Sequence, residues 1–96
     1  MQRVLAAAIG FASIAAAVSV SAEPPAGAAA CSGCHPASTR VASPVPRLAG
    51  LDRAAIVRAM EDFRTGTRPA TVMDRIAKGF TDAEIQAIAA WYATQR

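Results

Sequence analysis

The chain has little of what small proteins usually rely on. Its 96 residues include two cysteines, one histidine, one tryptophan, one tyrosine and three phenylalanines. Two cysteines exclude a disulfide-dense scaffold. Two Cys and one His fall short of the four ligands of a structural zinc site, and no second cluster supplies a fourth. No stretch alternates convincingly between apolar and polar, so a sheet-based redox fold lacks its strands. The arginines Arg40, Arg47, Arg53, Arg58, Arg64, Arg68 and Arg75 are scattered without interleaved aromatics, which leaves nucleic-acid binding unsupported. They read as solvated helix faces.

The one long hydrophobic run lies at the start. Met1-Gln2-Arg3 is followed by Ala-rich sequence from Val4 to Val20, and Val20-Ser21-Ala22 places small residues where a signal peptidase cuts. Seventeen residues of mostly Ala, Ser and Gly make a marginal membrane anchor, because Ala contributes little transfer free energy. The expectation is a cleaved signal peptide over 1–22, a periplasmic domain over 23–96 and no stable membrane insertion. Without Arg3 the balance is nine basic against seven acidic side chains, or +2.

Seventy-four residues, from a chain with only five aromatics in all, form a poor core unaided, and domains of this size commonly need a staple or a cofactor. Both cysteines fall in Cys31-Ser32-Gly33-Cys34-His35. A disulfide there closes too short a loop to stabilise much by chain entropy. A thioredoxin-like pair needs a βαβ setting, and zinc needs a further ligand. Covalent haem uses all three side chains. Two thiols add to the porphyrin vinyl groups, and the adjacent imidazole ligates iron, which is the c-type attachment pattern. If Ala26 to Ala30 and the motif form a short helix started by Pro24-Pro25, Cys31 and Cys34 stand at i and i+3 on one face.

The remainder reads as helices and loops. Pro36 to Gly50 is a loop. Asp52 caps a helix running to about Arg64 and stopped by Gly66 and Pro69, with Ile56, Val57, Met60 and Phe63 in one stripe. Thr65 to Val72 is a loop that delivers Met73. Thr81-Asp82-Ala83-Glu84 forms a capping box for a last helix whose stripe is Ile85, Ile88, Ala89 and Tyr92, with Trp91 on its flank. Asp74, Asp82 and Glu84 read as helix-start charges. The plan is all-α, three to four short helices around one haem. Two methionines are candidates for the sixth iron ligand. Met73 sits in loop-like sequence that tolerates end-on approach, whereas Met60 suits core filling. Water, or no ligand, is the remaining alternative.

With these residues placed, the chain from Glu23 to Arg96 resembles a class I cytochrome c. Pro46-Arg47-Leu48-Ala49-Gly50 resembles the family's Pro-x-Leu-x-Gly segment. There a backbone carbonyl accepts from the axial imidazole and the Leu packs on the ring, which implies cofactor-binding roles for Pro46 and Leu48. Phe63 to Pro69, Leu48 to Leu51 and Thr71 to Ile85 resemble the cytochrome subunit of flavocytochrome c sulfide dehydrogenase. That resemblance implies Met73 as axial ligand opposite His35, electron transfer rather than catalysis, a flavoprotein donor and a downstream cytochrome or oxidase. A free-standing shuttle, the subunit of another dehydrogenase, and a haem sensor or enzyme with an open sixth position are the alternatives. Two departures stand out. Pro36 replaces the usual Gly after the motif His. Gly27 occupies the position four before the first Cys that class I cytochromes tend to fill with an aromatic, so a close backbone approach to Trp91 or Tyr92 is expected there.

Overall fold

The computed structural model describes Gly10 and residues 23–96, and the expected signal peptide lies outside the described residues except for Gly10. The described chain forms four helices and no strand: α1 (Ala28–Cys31), α2 (Arg53–Thr65), α3 (Met73–Ala77) and α4 (Asp82–Thr94). This is the small all-α cytochrome c fold, with α2 packed on both α3 and α4 and α1 laid across α4.

The boundaries of the two long helices follow from local chemistry. Asp52 accepts from Ala55 N at 3.1 Å and starts α2. Gly66 stops it in the left-handed conformation, φ 79°, with its N–H on Phe63 O. Thr81 Oγ1 accepts from Glu84 N at 3.2 Å while Glu84 Oε1 accepts from Thr81 N at 2.9 Å, the reciprocal pair that opens α4. Ile85, Ile88, Ala89 and Tyr92 of α4 are all buried, and Ile56 is the buried member of the α2 stripe.

Three expectations change. The first helix begins at Ala28 rather than Ala26, because Gly27 takes φ 87° and breaks the helical dihedrals, leaving Pro25 O to accept Ala28 N at 3.0 Å. Met73 does not lie in a loop but opens α3. Val72 precedes it without a side-chain cap, so this five-residue helix is held by packing on α2 rather than by local signals. The close approach at Gly27 is made by Phe80 rather than by Trp91 or Tyr92. A Cβ there would stand 2.6 Å from Phe80 Cε1 and 3.4 Å from Ile88 Cδ1. The ring beside Gly27 thus comes from the α3–α4 turn.

The core joins Ala28, Ile56, Ile88, Ala89 and Tyr92, with Cys31, Leu48, Val57, Phe80 and Trp91 packed against it. Tyr92 Oη donates to Ala28 O at 2.6 Å and pins α4 to α1. Burying Ile56, Ile85 and Ile88 contributes about 1.5–3 kcal/mol each relative to exposure. Among the described residues only alanines are wholly enclosed: Ala28, Ala77 and Ala89 have no exposed surface, and no large side chain is fully buried. By itself the protein part of this core is thin.

Candidate functional site

The helical turn of α1 continues past its last residue into the site. Gly33 N bonds Ala30 O at 3.2 Å, Cys34 N bonds Cys31 O at 3.3 Å, and His35 N bonds Cys31 O at 3.0 Å. Cys31 and Cys34 are therefore one turn apart on the same side. Cys31 is half-buried with its Sγ 3.6 Å from Gly27 O, whereas Cys34 is exposed. Burial pushes the Cys31 thiol up, only partly offset by its backbone hydrogen bond. The two thiols are not bonded to each other. Among the described residues no three His, Cys, Asp or Glu side chains gather as a metal-binding group, so the zinc reading has no ligand set.

His35 turns its Nδ1 to Pro46 O at 2.6 Å. A carbonyl can only accept, so Nδ1 carries a proton and Nε2 is left as the nitrogen that could ligate a metal. The carbonyl is held by its surroundings. Arg47 Nε donates to Ala37 O at 2.9 Å, Leu51 N to Leu48 O at 3.1 Å, and Gly50 N to Tyr92 O at 3.0 Å. The last bond ties the loop to the end of α4. Ser38 and Ser43 hydroxyls accept from Arg40 N and Val45 N, each at 3.1 Å, and shape the intervening turns.

Of the sequence-derived site residues, the fold brings Cys31, Cys34, His35 and Pro46 into one locality, and Leu48 joins Cys31 at the edge of the same core. Met73 stands in a separate element, half-buried at the head of α3, and Met60 is half-buried within α2. Two features were not anticipated. Trp91 Nε1 is sealed from solvent without an acceptor in the chain, although the sequence placed Trp91 only on a flank. Arg64, one of many scattered arginines, bonds Phe80 O and Asp82. Two surface hollows are lined by other residues, one along Asp52 to Glu61 with Gln86, the other between Arg47, Gly50 and residues 93–96.

This donor set fits haem. Two unbonded thiols share one face, an imidazole bonded through Nδ1 presents its second nitrogen, and a leucine and a buried indole N–H border a core that encloses no large side chain among the described residues.

No family model matches the chain. It is 40% identical over 62 residues to the cytochrome subunit of sulfide dehydrogenase from Chlorobaculum tepidum, covering 65% of this chain and 56% of that protein. Cytochrome c-552 of Acidithiobacillus ferridurans is 38% identical over 65 residues, 68% of this chain and 28% of the relative. The thiosulfate dehydrogenase electron acceptor of Stutzerimonas stutzeri is 40% identical over 65 residues, 66% of this chain and 30% of the relative. The chain thus spans about half the length of the first of these relatives and under a third of the others. With its Cys-x-x-Cys-His turn and all-helical fold, the chain is similar to c-type cytochromes over about two thirds of its length.

Proposed function

We propose that this domain holds one covalent haem c and passes single electrons as the cytochrome component of a periplasmic dehydrogenase. The observation that carries the proposal is the His35 Nδ1 to Pro46 O bond, which orients the imidazole beside Cys31 and Cys34 and leaves Nε2 to ligate. In this reading Cys31 and Cys34 would hold the porphyrin as thioethers, and His35 and Met73 would ligate the iron. The cofactor supplies one-electron exchange between ferric and ferrous iron. The protein keeps both axial ligands in place, so that little rearranges between the two states, and the soft thioether favours the ferrous one. The chain's only histidine is engaged by Pro46 and spent on iron, so no side chain is left as a general base of the usual kind.

The donor in this proposal is a flavoprotein of the sulfide dehydrogenase type, and the acceptor is a downstream cytochrome or oxidase. The relative from Chlorobaculum supports that pairing. A second reading, the acceptor for another sulfur-compound dehydrogenase, is favoured by the relative named for thiosulfate dehydrogenase. Mixing the haem-loaded protein with each purified dehydrogenase and its substrate separates the two. Rapid reduction and complex formation with the sulfide-oxidising flavoprotein support the first, and reduction by only the thiosulfate enzyme supports the second. High-spin iron that binds carbon monoxide at once would instead indicate a sensor or enzyme. Mass spectrometry of the exported protein tests cleavage after Ala22 and the gain of a single haem.

A further inference from the structure

The turn between α3 and α4 is gripped from two directions. The Phe80 ring lies on Gly27, and the Phe80 carbonyl accepts from Arg64 Nη2 at 3.3 Å. Arg64 Nη1 meets Asp82 Oδ1 at 2.5 Å. Arg64 belongs to the last turn of α2, so one guanidinium joins the end of α2 to the start of α4. Its partners are sixteen and eighteen positions further along the chain, and Met73 lies between. At the outgoing end Arg68 N bonds Asp62 O at 3.1 Å, so the segment is fastened as it leaves α2 and again as it returns.

The two contacts of Arg64 differ in weight. The Asp82 side chain is 84% exposed, so its ion pair is largely screened. The bond to Phe80 O is part-buried and charge-assisted, which makes it the stronger of the two. The planar guanidinium presents separate N–H donors to both partners at once. Holding the ends of a segment together reduces the conformations its middle can visit.

We propose that Arg64 is a positioning residue for Met73, and that its clasp on Phe80 and Asp82 determines how rarely the thioether leaves the iron. This inference rests on Met73 being the sixth ligand. The experiment is a titration of the purified holoprotein with imidazole, following loss of the thioether-to-iron charge-transfer absorption. Because added imidazole binds only when Met73 is off, its apparent affinity reports the population of that open state. Arg64→Ala is expected to raise this affinity about tenfold, the scale of one charge-assisted hydrogen bond. Arg64→Lys falls between, and Asp82→Asn changes it by less than about threefold. Asp52→Ala, which removes the cap at the end of α2 opposite Arg64, lowers Tm and leaves the imidazole affinity unchanged. Should Arg64→Ala fail to assemble, Arg64→Lys carries the same comparison. Wild-type imidazole affinity in the Arg64 variants overturns the proposal, as does an equal rise in Asp52→Ala. Persistence of the charge-transfer absorption in Met73→Ala overturns the ligand assignment instead.

Discussion

Tyr92 donates its hydroxyl to the carbonyl of Ala28 at 2.6 Å, across 64 positions of sequence. Through that one bond the last helix holds the element that carries Cys31. Burial pushes the Tyr92 phenol up, with the neighbouring Cys31 adding to the effect, so the group stays protonated and donating beyond the ordinary phenol range. Tyr92→Phe keeps the ring and leaves the carbonyl unpaired. It should cost about 1–3 kcal/mol of stability, read by thermal or denaturant unfolding of the holoprotein. A loss below a few tenths of a kcal/mol would show that the bond contributes nothing.

Gly27 faces two constraints at once. Its φ of 87° strains any side chain, and the Phe80 ring occupies the space a Cβ would need. Gly27→Ala should destabilise by about 1–3 kcal/mol. In Gly27→Ala with Phe80→Leu the steric share is relieved while the backbone share remains, so the double variant should lose less than the sum of the two singles. Strict additivity in unfolding measurements would mean that the two residues do not press on each other.

For the ligand, Met73→Ala is expected to abolish the low-spin His–Met spectrum and lower the reduction potential, because a neutral soft ligand for ferrous iron is removed. Met60→Ala should leave both unchanged and cost only packing. Absorption spectroscopy and potentiometry of the two variants decide between the methionines. Loss of the spectrum in Met60→Ala alone would reverse the assignment.

The capping box of α4 gives a pH dependence with a definite sign. Hydrogen bonds from the Thr81 backbone and side chain hold the Glu84 carboxyl below its ordinary value. A group whose folded-state pKa is lowered contributes stability that is present above its unfolded pKa and is lost as pH falls through the folded one. The Tm advantage of the parent protein over Glu84→Gln should therefore hold at neutral pH and shrink below the ordinary carboxylate range. An advantage that stays constant down to the acid limit would show that the charge is not involved.

What could be read from the sequence divides along a physical line. Asp52, Gly66 and the Thr81–Glu84 pair act within a few residues of themselves, so α2 and α4 were legible, and the stripe of α4 predicted its buried face. The start of α3 was not, because Val72 provides no cap and the helix depends on α2 for its existence. The turn bearing Cys31, Cys34 and His35 was readable from spacing alone. The partner of His35 was readable only through the resemblance of Pro46 to Gly50 to a known segment, since nothing local announces which carbonyl an imidazole will find. Phe80 on Gly27 and Arg64 on Phe80 are distant pairings. One is an ordinary aromatic and the other an ordinary arginine until the fold brings them together.

The notch at Gly27 also carries an evolutionary consequence. Because Phe80 fills the space that a side chain at position 27 would need, positions 27 and 80 form a single steric unit. A lineage can enlarge residue 27 only after residue 80 has shrunk, and the intermediate with both small leaves a hole beside Ile88. Among homologues the two positions should thus exchange bulk as a pair, with few sequences small at both and almost none large at both.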